Sequence, residues 1–162
     1  MSAGKYLVYA TIIVTYVLIV WGAYLTAGNW GGACGNPSAN AVSSDWPYCN
    51  GGLSIPSPFH TASYGSFVEY MHRFLSVVTT VVLVATLIVV GRMKPRPVAV
   101  FRVLLLSFLM LLVQIGLGNV VVNSSLNPIV TAIHLANATA LFAVMIVAGV
   151  LMYQSEKRTA SG

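Results

Sequence analysis

Six residues of this chain have the types and spacing for chemistry. They are Glu69, His72 and Arg73 in the run "EYMHR", His134 in "AIHLANA", and the two cysteines, Cys34 and Cys49. Neutral imidazole is the commonest metal ligand, and its orientation is set by what its second nitrogen bonds. Two histidines offered from two elements at one level can hold a planar metal cofactor between them. Glu69 precedes His72 by three residues and Arg73 by four, so on a helix it shares a face with each. One reading of that spacing is a plain i,i+4 ion pair near a helix N-terminus, where an acid is also favoured by the dipole. The other turns Glu69 into the cofactor cavity as an acid/base group and leaves Arg73 to meet an anionic substituent such as a propionate, which its fork suits. The cysteines are not spaced C-x-x-C and carry no redox signature. In an oxidising compartment they can form a disulfide. As a staple closing about 15 residues it would contribute roughly 3 kcal/mol; a redox-active pair is the alternative.

The elements that must position these residues follow from composition. Of 162 residues, 57% are hydrophobic and 7% charged, against about 25% charged in a soluble domain. Four apolar segments, approximately 6–27, 67–90, 98–122 and 129–153, each reach the roughly 20 residues needed to cross a bilayer. The expected fold is an all-α integral membrane protein. It is an antiparallel up-down bundle of four transmembrane helices, a single membrane domain over 1–162, with a long first outer loop at 28–66. The first apolar run exceeds the ~7–15 residues of a secretory signal core and is read as a retained helix.

The net charge of +5 reads as topology, and no nucleic-acid partner is expected. Lys5, then Arg92, Lys94, Arg96 and Arg102, then Lys157 and Arg158 fall on one side, and Arg73 alone on the other. The positive-inside rule then places both termini and the "GRMKPRP" turn in the cytoplasm of a multi-pass cell-membrane protein. The long loop and the turn "NSSLNP" face outward. That loop is rich in turn residues and holds Trp30, Trp46, Tyr48, Phe59 and Tyr64. It suits a lid at the membrane interface, where amphipathic rings prefer to sit.

Depth links the histidines. His72 stands five residues into the second segment, about 7.5 Å, and His134 six beyond Pro128, about 9 Å. The two helices run oppositely, yet both imidazoles reach the same outer level. Set against this, a single histidine near a helix end is more often an interfacial or capped residue than a ligand. His60, in the loop, is expected to face solvent. Ala136, Ala138 and Ala140 follow His134, and Gly116 and Gly118 approach its depth from the third segment. Small residues let helices come close; they also leave a slot for a macrocycle. Asn127 is placed to cap the fourth helix, with Pro128 at its first position.

Taken in order, these pieces resemble the heme A synthase family. "GAYLTAG" (22–28) resembles the outer end of the family's first helix, and "ACG" with "WPYCNG" its cysteine-bearing outer loop. "EYMHR" matches the E-x-x-H-R motif, "LVQIGLGNVVV" (112–122) resembles the third helix, and "AIHLANA" holds the second histidine. Family members commonly have eight helices in two related halves, and this chain resembles one half, nearer the N-terminal one. The resemblance implies oxidation of a porphyrin methyl of heme O to a formyl group, giving heme A. It implies His72 and His134 as ligands of heme iron and Glu69 as the residue needed for activity, with heme B, substrate heme O, or both as the cofactor. It points to a heme O synthase and the assembly of a terminal oxidase as partners. One histidine pair serves one bis-histidine heme, so a reaction that needs two calls for a homo-oligomer. The rival readings are a bis-histidine b-type cytochrome that only moves electrons, a quinone-linked disulfide oxidoreductase using Cys34 and Cys49, and a structural or assembly subunit without cofactor.

Overall fold

A computed structural model describes residues 3–34, 49 and 55–161. Four helices account for most of them: α1 (Ala3–Ala27), α2 (Thr61–Arg92), α3 (Val98–Asn123) and α4 (Pro128–Ser161). Each is long and apolar enough to cross a membrane. Many large apolar side chains point outward, among them Ile13, Val81, Leu109 and Ile133. Such a surface is at home only in lipid, where every backbone polar group must be bonded within the helices.

The helices form a closed ring in which each packs on two neighbours. Among the described residues, the diagonal pairs α1/α3 and α2/α4 make no close backbone contact. The directions alternate. Gly4, at the start of α1, sits against Val90 near the end of α2 and Met152 near the end of α4. Lys5 Nζ reaches Glu156 at 3.2 Å. Gly91, ending α2, lies on Phe101, which opens α3. The up-down bundle expected from the short connections is therefore the fold observed.

Val8, Leu83, Leu104, Leu111, Leu141 and Met145 fill the centre. Fully buried hydroxyls bind helices where apolar packing alone gives lipid no reason to leave. Thr11 Oγ1 meets Thr86 Oγ1 at 2.8 Å across α1 and α2. Thr15 Oγ1 donates to Met145 Sδ on α4 at 3.1 Å. At the start of α4, Asn127 Oδ1 accepts from the N–H groups of Ile129 and Val130 at 3.0 and 3.4 Å. This is the expected cap, with Pro128 at the first helical position.

Two boundaries depart from expectation. Helix α4 runs on to Ser161, about two turns past 153. Helix α2 begins at Thr61, six residues before 67. Its first turns read as loop ("TASYGS") and are held by tertiary contacts. Ser66 Oγ donates to the Ala33 carbonyl at 2.7 Å, and Ser63 Oγ to that of Ser57 at 2.7 Å. Tyr64 packs edge-on against Trp30, their centroids 5.3 Å apart. His72 is thus eleven residues into its helix, and counting from helix starts does not match its depth to that of His134.

Candidate functional site

His72 and His134 come from α2 and α4, helices that face each other diagonally across the ring. Each imidazole lies on a glycine of the helix that precedes its own, His72 of α2 on α1 and His134 of α4 on α3. A Cβ at Gly22 would stand 2.8 Å from His72 Cε1, and one at Gly118 would stand 3.3 Å from His134 Cε1. Gly22 is five residues before the end of α1, and Gly118 five before the end of α3. Counted from those ends, the two facing glycines are equally deep in their own helices. The slot is lined unequally by the small residues: Gly118 meets His134, whereas Gly116 is exposed and faces open space. Ala138 is buried, while Ala136 and Ala140 face outward.

Both histidines keep a buried Nδ1 without a hydrogen-bond partner. A buried polar atom left unpaired costs about 1–3 kcal/mol, so such atoms are rare outside sites that receive something. Among the described residues, no three His, Cys, Asp or Glu side chains gather to hold an ion. Two imidazoles on opposite sides of an axis suit instead a metal that brings its own equatorial ligands. The residues present fit a planar iron macrocycle.

Beside His72, Glu69 and Arg73 are both buried. Arg73 Nη2 donates to Glu69 Oε1 at 2.7 Å. The other oxygen, Oε2, accepts the Cys34 N–H at 2.7 Å. The ion pair expected from i,i+4 spacing is formed, and the same carboxylate anchors the outer loop. Cys34 is joined to Cys49 in a disulfide spanning 15 residues. Trp21 Nε1 donates to the Val68 carbonyl at 2.9 Å, tying α1 to this corner. Trp30 stacks edge-on between Tyr24 and Tyr64, whose hydroxyls meet at 2.9 Å. These three rings pack together where α1, the loop and α2 meet, whereas Phe59 is almost wholly exposed. Trp46 and Tyr48 lie outside the described residues. His60 is exposed just before α2, as expected.

Sequence reasoning gave no role to Gly22, Gln114 or Asn137. Gln114 Nε2 lies 3.0 Å from His134 Nε2, and Asn137 Nδ2 donates to Gln114 Oε1 at 2.7 Å. The signal was available. Both are amides in otherwise apolar spans, and Asn137 is three residues after His134 on the same face.

Fold and site together define a polytopic helical membrane protein with two histidines set across its bundle axis. The sequence profile described as COX15-CtaA, cytochrome oxidase assembly protein, matches residues 2–158. The chain belongs to that family. It is 27% identical over 157 residues to a heme A synthase of Symbiobacterium thermophilum, covering 97% of this chain and 47% of that protein. It is 26% identical over 151 residues to the heme A synthase of Bacillus pumilus (91% and 44%) and 26% over 143 residues to that of an Exiguobacterium species (87% and 43%). The chain thus spans a little under half the length of the curated relatives it matches. No solved structure matches it.

Proposed function

We propose that this four-helix unit is a heme A synthase, converting heme O to heme A by oxidising a porphyrin methyl to a formyl group. The observation that carries the reading is the pair His72 and His134, offered from the diagonal helices α2 and α4 and each seated on a glycine of a neighbouring helix. Family membership and the names of the relatives support it.

In this reading His72 and His134 would hold the heme iron, and heme B or the substrate heme O would be the group they hold. When bound, heme supplies the oxidation chemistry at the methyl. The chain's own residues do the rest. Gly22 and Gly118 give the rings room to lie flat against α1 and α3. The Glu69 carboxylate, buried next to His72, holds or moves a proton beside the reacting methyl. Arg73, within electrostatic reach of His72, meets a cofactor carboxylate, as a guanidinium fork does well. The aromatic rim at Trp30 keeps water out of the outer mouth. The basic end faces the cytoplasm, which puts the disulfide and the histidine level on the outer side. A second histidine pair, where the reaction needs one, comes from a further four-helix unit, most simply another copy of this chain. A heme O synthase delivers substrate and the terminal oxidase under assembly receives product.

The test is pigment analysis. The chain is expressed with a heme O synthase in a host that makes no heme A of its own, and the hemes are extracted. Heme A is expected from wild type. Glu69→Gln should keep bound heme and accumulate heme O. Wild-type protein that binds heme yet yields no heme A would point to an electron-transfer cytochrome and overturn the reading.

A further inference from the structure

Among the described residues, Gln114 is the side chain that hydrogen-bonds an imidazole nitrogen of the pair, and its orientation can be worked out. Asn137 Nδ2 lies 3.2 Å from the Met110 carbonyl oxygen. A backbone carbonyl only accepts, so that atom of Asn137 is its amide nitrogen. The second hydrogen of the same nitrogen goes to Gln114 Oε1 at 2.7 Å. Gln114 therefore turns its NH₂ toward His134, and His134 Nε2, 3.0 Å away, must be the acceptor. A ring that accepts at Nε2 carries its proton on Nδ1 and is neutral. That is the tautomer with an Nε2 lone pair to offer a metal.

We propose that Gln114 is a positioning residue for His134. Held by Asn137, it selects the Nδ1–H tautomer and keeps the Nε2 lone pair occupied by an amide hydrogen until iron takes that place. The last step rests on the heme reading above; the tautomer does not. The arrangement also accounts for the unpaired Nδ1 of His134. The proton is sent to the side without a partner because the other side is already filled by a donor.

The relay differs from helix packing in one measurable respect, the position of a proton. The 162-residue chain labelled with ¹⁵N-histidine contains three histidines, and the His134 signals are assigned with His134→Ala. In heme-free wild type, ¹⁵N shifts should show Nδ1 protonated and Nε2 bare. Gln114→Met, of similar length and without N–H, should lose that selection and give mixed tautomers. Titrated with heme B, it should bind at most about twofold more weakly, because mixed tautomers still leave about half of the rings with a bare Nε2 and the amide hydrogen that competes for it is gone. Should Gln114→Met fold poorly, Asn137→Val leaves Gln114 in place with its amide free to turn, and mixed tautomers are again expected. Wild type with its proton on Nε2, or both variants with an unchanged tautomer, would overturn the proposal. If His134→Ala leaves heme binding intact, the heme reading fails while the tautomer result stands. If His134→Ala loses heme and Gln114→Met leaves the tautomer unchanged, only the present proposal fails.

Discussion

Glu69 and Arg73 show what a buried charged pair does in a membrane bundle. Both are buried, and each Glu69 oxygen has a partner. Removing one member of such a pair leaves the other charge uncompensated, at a cost of about 3–5 kcal/mol. Glu69→Ala should therefore lower the unfolding midpoint in detergent markedly. Glu69→Ala with Arg73→Leu should recover part of the loss, because the stranded guanidinium is gone. Equal stabilities for the single and double variants would show that the pair is not what Glu69 supports. The residue types and spacing of this pair were legible in "EYMHR". Its bond to Cys34 was not, because a spacing of 35 residues reports no contact.

At the scale of elements, the helices themselves were legible as apolar runs. What was not legible were places where one element lends support to another. The start of α2 reads as loop because "TASYGS" has no apolar period, and it is helical because the Ala33 carbonyl, Ser57 and Trp30 meet it. Gly118 read as a generic small residue and Gly22 was given no role, and each is the floor under a histidine. Gly22→Ala puts a Cβ 2.8 Å from His72 Cε1, so the ring must move, and overpacking of this kind costs typically about 1–3 kcal/mol. Thermal unfolding should show that loss and the heme spectrum should change with it. Gly116→Ala meets nothing within 4 Å. It should be neutral or stabilising by up to about 1 kcal/mol through helix propensity. Similar effects at both positions would contradict the packing described.

The disulfide belongs to the same scale. Cys34 and Cys49 close 15 residues of the outer loop. Replacing both by Ser should cost roughly 3 kcal/mol in the chain-entropy model. Mass spectrometry without reduction should find the two linked in wild type. Two free thiols in oxidised membranes would contradict the pairing.

The whole molecule is a ring of four antiparallel helices with most of its basic residues at one end and its polar site, with the Glu69–Arg73 pair, near the other. Lys5 and Glu156 close the basic end, and Arg92, Lys94 and Arg96 lie in or beside the α2–α3 turn. The diagonal placement of the two histidines is a property of the ring rather than of any segment. The sequence pointed to two rings at one level, but its count from helix starts rested on an α2 that was six residues too short. The bundle's order around the ring, and the glycines that face the rings, supply the correct account.

The central claim is that His72 and His134 hold one heme iron between them. Its most direct test is the optical and electron paramagnetic resonance spectrum of the purified chain loaded with heme B, beside His72→Ala and His134→Ala. The account predicts a low-spin, six-coordinate spectrum for wild type, and its loss or conversion to high spin in each variant. Low-spin spectra unchanged in both variants would contradict it.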